Sequence, residues 1–176
     1  MIGIILCLIV LTGINMGYAS PKAPQPSFVV KGTEMHYEPK KNQSDVLGNA
    51  HATRTLPPST ASQTARTQTL TADRFHINFV SEDAENKQSS QDIDTIMAEG
   101  NVSFQEGDLS IQAEKCTYDC KTNTIICDHD ITLTKGQNTL KGDKADANLD
   151  SGHYSVTAHG KSDKVQAVLM PNRLQD

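Results

Sequence analysis

No tryptophan occurs in these 176 residues, and aromatic side chains make up only 5 % of them. A thick core built on large rings is therefore excluded, and any interior must be filled by Leu, Ile, Val, Met and small residues. Clustered positive charge is also missing. Lys and Arg are scattered and the formal net charge is −5, so a nucleic-acid partner, which needs a basic stripe, is disfavoured. The chain has no Gly-x-Ser-x-Gly, no phosphate-cradling Gly-x-x-x-x-Gly-Lys and no dinucleotide fingerprint. Beyond the first nineteen residues no stretch sustains a 3.6-residue apolar period, so helix is expected to be nearly absent.

The length allows one domain and a targeting segment. Residues 1–19 carry no charged side chain, and the apolar run Ile2–Ile14 is too short for a comfortable membrane span. With Gly17-Tyr18-Ala19 behind it, the segment reads as a secretory signal cut after Ala19. The competing reading is an uncleaved single-span anchor. Residues 20–27, with three prolines, form a flexible leader; residues 28–170 are the β domain, and 171–176 a tail. The mature chain keeps Cys116, Cys120 and Cys127 in a compartment that permits disulfides.

What the chain does contain is repetition. Val30–Tyr37, Leu70–Phe79, Leu109–Tyr118 and Leu140–Leu149 each run apolar at alternate positions, meet a small residue (Gly32, Ala72, Ala113, Gly142) and then a polar pair. Beyond the pair the alternation resumes in the opposite phase, as Phe75, Ile77 and Phe79 do after Leu70 and Ala72. A phase flip inside a period of two is what a bulge or bent corner in a strand produces. Gly48-Asn49, Gly100-Asn101 and His129-Asp130 precede a second set of alternating strands. Gly100 to Ala113 and His129 to Gly142 both span 13 residues, so equal hairpins stack as rungs. The expectation is an all-β fold, an antiparallel sheet rolled on itself with one apolar face. It is interrupted by a Ser/Thr-rich insertion, Thr55–Gln68, and a polar loop, Ser81–Asp92.

The six histidines mostly alternate with apolar residues and read as solvent-facing. Cys116, Cys120, Cys127 and His129 do not have the spacing of a familiar zinc site. A hairpin turning at Cys120–Asn123 sets Cys116 opposite Cys127, which leaves a Cys116–Cys127 bridge, a Cys120–Cys127 bridge and free thiols as alternatives. The acid–base pairs at the corners point to opposite faces and cannot share one substrate atom. No nucleophile, base or metal set converges; neither an enzyme nor a cofactor is expected. The apolar face remains, and its side chains suit flexible hydrocarbon, each buried methylene being worth about 0.8 kcal/mol. They form either an ordinary core or a lipid-binding slot. The candidate lining is Met35, Tyr37, Val46, Phe75, Ile77, Phe79, Val102, Phe104, Leu109, Ile111, Ile125, Ile131, Leu133, Leu140 and Leu149.

Ala98–Asp119 (AEGNVSFQEGDLSIQAEKCTYD), followed by a hairpin containing TLKGDKADANL, resembles the OstA-like repeat, and with MHYEPKKNQSDVLGNAHATR and the ending KVQAVLMPNRLQD the likeness covers residues 28 to 176. The resemblance implies a β-jellyroll, a V-shaped pair of antiparallel sheets open at both ends. It implies a periplasmic protein that holds the acyl chains of lipopolysaccharide and assembles head-to-tail. The bridge so formed would run from an inner-membrane transporter adaptor to an outer-membrane translocon of like fold. A membrane-anchored adaptor of the same fold is the alternative if residues 1–19 stay attached. Carried onto this chain, the docking edges are Phe28–Tyr37, with Phe28 and Val30, and Lys164–Met170, with Val165, Val168 and Met170. The two polar insertions and the cysteine cluster depart from the family pattern.

Overall fold

A computed structural model describes residues 27–58, 64–80, 92–159 and 164–170. The expected signal, most of the leader, the centre of the Ser/Thr-rich insertion, most of the Ser81–Asp92 loop and the tail lie outside the described residues. The described chain is strand throughout apart from turns and one 3-10 turn, Pro39–Lys41. In order the strands are β1 (Ser27–Lys31), β2 (Glu34–Glu38), β3 (Gln43–Leu56), β4 (Arg66–Phe79), β5 (Ile93–Glu106), β6 (Leu109–Asp119), β7 (Thr124–Lys135), β8 (Asn138–Asn148), β9 (His153–Thr157) and β10 (Gln166–Val168).

They make one ten-stranded antiparallel sheet in the order β1-β3-β4-β5-β6-β7-β8-β10. Its edges are split in the same way. β1 pairs with the second half of β3 and β2 with the first half. Likewise β10 pairs with the first half of β8 and β9 with the second. Each edge is thus two short strands meeting at a corner. The fold is a meander of hairpins, so nearly every pairing is local.

All five long pairings break register at the same level, between Leu47 and Ala50, Thr71 and Arg74, Glu99 and Val102, Gln112 and Lys115, and Asp128 and Ile131. On β3, β5 and β7 the break holds two consecutive left-handed residues: Gly48-Asn49, Gly100-Asn101 and His129-Asp130. Gly, Asn, Asp and His tolerate positive φ better than other residues. Their alignment across the sheet is a crease that folds it into two leaves. The β2 leaf carries β2, β9 and one half of each long strand; the β1 leaf carries β1, β10 and the other halves. Neighbouring strands approach closely at the crease. A Cβ on Gly100 would lie 2.3 Å from Asp73 Oδ2, and one on Gly142 2.8 Å from the Thr157 carbonyl oxygen.

The crease also explains the phase flip. On β4, Gln68, Leu70 and Ala72 are buried, Asp73 and Arg74 are exposed, and Phe75 and Ile77 are buried again. Both leaves therefore turn apolar residues inward. Two inner rungs of the β1 leaf read Ala50, Ala72, Val102, Ala113 and Ile131, then Ala52, Leu70, Phe104, Ile111 and Leu133. Against them pack Val46, Phe75, Ala98, Cys116, Cys127 and Ala145 of the β2 leaf, with Ile77, Ile96, Tyr118 and Ile125 in the next rung. Outside, beside the crease, Arg74, Glu99, Lys115, Asp128 and Lys144 follow one another across five strands with alternating sign. Lys115 Nζ lies 2.9 Å from Glu99 Oε1, and Arg74 holds the other carboxylate oxygen. Opposite charges at directly paired sites favour this register over its slipped alternatives.

Two boundaries differ from the sequence expectation. The insertion is shorter than Thr55–Gln68, because Thr55 and Leu56 continue β3 and pair with Thr67 and Arg66 of β4. Their cross-strand hydrogen bonds outweigh a Ser/Thr-rich composition. At the other end, Lys164–Met170 is not all strand: β10 is confined to Gln166–Val168, the stretch that faces β8.

Candidate functional site: the inner face, its mouth and its two edges

The proposed slot residues divide into three groups. Val46, Phe75, Ile77, Val102, Phe104, Leu109, Ile111, Ile125, Ile131, Leu133 and Leu149 are buried. Phe79 and Leu140 are half-buried against them. Met35 and Tyr37 are 54 % and 44 % exposed. They are nonetheless on the inner face, since they pair with buried Val46 and Ser44, and the Tyr37 ring meets Phe79 edge-on at 5.7 Å. They are exposed because the sheet ends there. Among the described residues the inner face is closely packed. A void between the leaves, lined by Phe28, Ala52, Leu70, Ile96, Phe104 and Tyr118 among others, measures about 10 Å³, at the limit for a single water. A hydrocarbon chain fits at that point only when the leaves separate.

Opposite the crease, where the far ends of the leaves meet, the apolar pattern gives way to a polar seam. Gln68 (2 % exposed), Tyr118 (3 %) and Asn123 (4 %) are buried together. The Tyr118 hydroxyl lies 2.7 Å from Gln68 Oε1 and 2.8 Å from Asn123 Oδ1, one of which takes its proton. Gln68 Nε2 donates to Asn123 Oδ1 at 2.9 Å and to Glu106 Oε2 at 2.9 Å. Arg54 donates to the Tyr118 hydroxyl and to the Cys120 carbonyl, and its guanidinium sits over the Phe28 and Tyr118 rings. Arg66 reaches from β4 to Asp150 at 2.9 Å and to Glu106 at 3.3 Å. Burial pushes the Tyr118 hydroxyl pKa up, against the pull of Arg54, so it stays a neutral donor. Beside the seam a cavity of about 410 Å³ is lined by Phe28, Arg54, Val80, Ile93, Cys120 and Lys121 among others.

Sequence reasoning missed this seam. The signal was present: Gln68 keeps the inward phase of Leu70 and Ala72, and Arg54 that of Ala50 and Ala52. A polar residue in an inward phase marks an interior hydrogen bond or a rim.

Cys116 and Cys127 stand opposite each other on β6 and β7 and are bonded to one another. Cys120 is a buried free thiol, its pKa pushed up to about 12 chiefly by desolvation, which makes it a poor nucleophile. Among the described residues no three His, Cys, Asp or Glu side chains are placed to hold a metal ion, and no helix is long and apolar enough to cross a membrane.

The edges carry the exposed apolar residues. Among the described residues, Val29, Met35, Tyr37, Val165, Val168, Leu169 and Met170 are exposed large hydrophobics, all in or beside the edge strands; Val80 and Ile126 are the others. Phe28 and Val30 on β1 are half-buried, and the Met170 amide donates to Asn138 Oδ1 at 3.0 Å. Tyr154 and Val156 on β9 belong to the second edge as well, a contribution absent from the sequence expectation. They pair with Ala147 and Ala145, and so share the inner face.

No protein-family model and no curated protein sequence matches the chain. A solved structure does: the crystal structure of LptH, the LptA homologous periplasmic component of the conserved lipopolysaccharide transport device from Pseudomonas aeruginosa. The TM-score is 0.62 at 11 % sequence identity, over 82 % of this chain and 96 % of that one. The two share a fold, and it is the fold that the OstA-like resemblance implies.

Proposed function

We propose that this chain is a periplasmic component of lipopolysaccharide transport that shelters acyl chains between its leaves and joins copies of itself head-to-tail into a bridge. The observation that supports it is the inner-face continuity of the two edges. β1 and β2 run antiparallel to β3, and β9 and β10 antiparallel to β8. The strands between alternate, so a β9/β10 edge laid against the β1/β2 edge of another copy is again antiparallel. With rungs continued in register, Tyr154 meets Tyr37, Val156 meets Met35, Ala167 meets Val30 and Leu169 meets Phe28. On the outer face Val168 meets Val29. Exposed apolar residues on each edge gain an apolar partner, and the inner face runs unbroken from one copy into the next. Heterologous edge pairing of this kind builds an open filament. Catalysis plays no part in this reading, and the fold neighbour is a component of a transport device.

Cysteines at Val29 and Val168 of one chain, oxidised in dilute solution, test the arrangement. The expected product is a ladder of covalent dimers, trimers and longer species, whereas a mixture of the two single variants stops at the dimer. A double variant that yields only dimer, or no cross-link, contradicts the head-to-tail reading.

A further inference from the structure

Among the described residues, the void between the leaves at Phe104 and Tyr118 is too small for a hydrocarbon chain, so lipid uptake there requires movement, and the distribution of polarity says where. The two rungs nearest the crease on the β1 leaf are apolar, and separating them from the β2 leaf would bare Phe104, Ile111 and Leu133 to water. The rung at the mouth is different. Arg54, Gln68, Glu106 and Lys135 stand in it beside one buried apolar residue, Leu109. Arg54 and Gln68 cross to the other leaf through hydrogen bonds to Tyr118, Asn123 and the Cys120 carbonyl, and Lys135 lies 5.9 Å from the Tyr154 ring centre. Arg66 adds its contacts to Asp150 and to the Leu149 carbonyl. Such groups exchange their partners for water when the surfaces part, so the net cost of each contact is modest. Arg54 Nε is already buried without a partner. On the far side, the tandem left-handed residues of β3, β5 and β7 interrupt the ladder along one line.

We infer that the mouth is a lateral gate: the leaves part along the Arg54–Gln68–Arg66 seam, turn about the crease, and admit hydrocarbon chains sideways rather than by threading through the ends. This rests on the reading of the chain as a lipid carrier. The seam closes again over the chain by remaking its hydrogen bonds, and the adjoining cavity, where Phe28, Val80 and Ile93 stand among Arg54, Asp92, Asp94 and Lys121, gives the tail its first foothold.

Cys120 supplies a readout of opening that needs no lipid. Its side chain is buried at the seam, and its thiol stays protonated while the gate is shut. Arg66 and Asp150, both exposed and on opposite leaves, are replaced by cysteine, and the full mature chain is treated briefly with a short bismaleimide or, as control, with a mono-maleimide. Two rates are then measured. One is maleimide labelling of Cys120, followed by peptide mass. The other is uptake of a fluorescent fatty acid. The gate predicts that the cross-link slows both rates at least tenfold relative to the mono-maleimide control. Unchanged Cys120 labelling overturns the gate. Slowed labelling with undiminished uptake overturns lateral admission and leaves threading through the ends. If even the control takes up no fatty acid, the carrier reading has failed, and Cys120 labelling still decides whether the seam opens.

Discussion

Alanine at Gly100 tests whether the crease is a tightly packed corner. Gly100 has φ +78°, and an added Cβ would lie 2.3 Å from Asp73 Oδ2 and 2.9 Å from Asp73 Cβ. The carboxylate can swing away, but the Cβ is fixed to the β4 backbone, so the strands must shift. Gly107 is the control: its φ is +57° and an added Cβ meets nothing within 4 Å. A left-handed conformation costs a non-glycine residue about 1–2 kcal/mol, and Gly107→Ala should lose that alone. Gly100→Ala adds an overpacking cost of about 1–3 kcal/mol. Urea and thermal unfolding of residues 20–176 with the disulfide oxidised, followed by circular dichroism, measure both, and each kcal/mol should appear as roughly 2–4 °C in Tm. Asp73→Gly in the Gly100→Ala background should recover the overpacking part, a coupling that a cycle isolates. If Gly100→Ala loses no more than Gly107→Ala, or Asp73→Gly recovers nothing, the close approach of β4 and β5 at the crease is refuted.

Hydrogen bonds from Lys115 and then Arg74 hold the Glu99 carboxyl at about 2, against an ordinary value of 4.5. A depressed carboxyl stabilises the fold above its unfolded pKa and loses that contribution as pH falls toward the folded one. Glu99→Gln should therefore flatten the pH dependence of the urea midpoint in this acid window, leaving the smaller slope from Asp108, Asp119 and Asp150, whose values are also lowered. An unaltered slope contradicts the charge ladder. The Cys116–Cys127 bridge closes a sequence separation of 11 residues; on the chain-entropy account its removal by a Cys116→Ala, Cys127→Ala pair costs about 3 kcal/mol. Reductant should then destabilise the wild-type chain by a similar amount and the double variant not at all.

Much of the fold was legible because the sheet folds by one rule applied repeatedly. Leu70, Ala72, Phe75 and Ile77 state the phase flip, which is local and needs no tertiary context. Gly100-Asn101 was legible only as a repeated element before an alternating strand, and its left-handed backbone at the crease came with the structure. The cysteine pairing was narrowed by the same rule, since a hairpin turning at Cys120–Asn123 aligns Cys116 with Cys127. The seam was not legible, because Arg54, Gln68, Asn123 and Asp150 are far apart in the chain and meet only after the sheet folds. Met35 and Tyr37 were placed in the interior by phase alone. Phase sets the face, but whether a face is covered depends on strand order, and β2 stands at an edge. The split of the second edge into β9 and β10 was hidden for the same reason, as partner choice is not written in alternation.

Whether the two inner faces accept hydrocarbon is decided by loading residues 20–176 with a fluorescent fatty acid and titrating with lipopolysaccharide, with delipidated polysaccharide as the control. Lipopolysaccharide should displace the probe saturably and the polysaccharide not at all. A chain that binds no probe, or releases it equally to both, has leaves that form a structural core only, and the carrier reading fails.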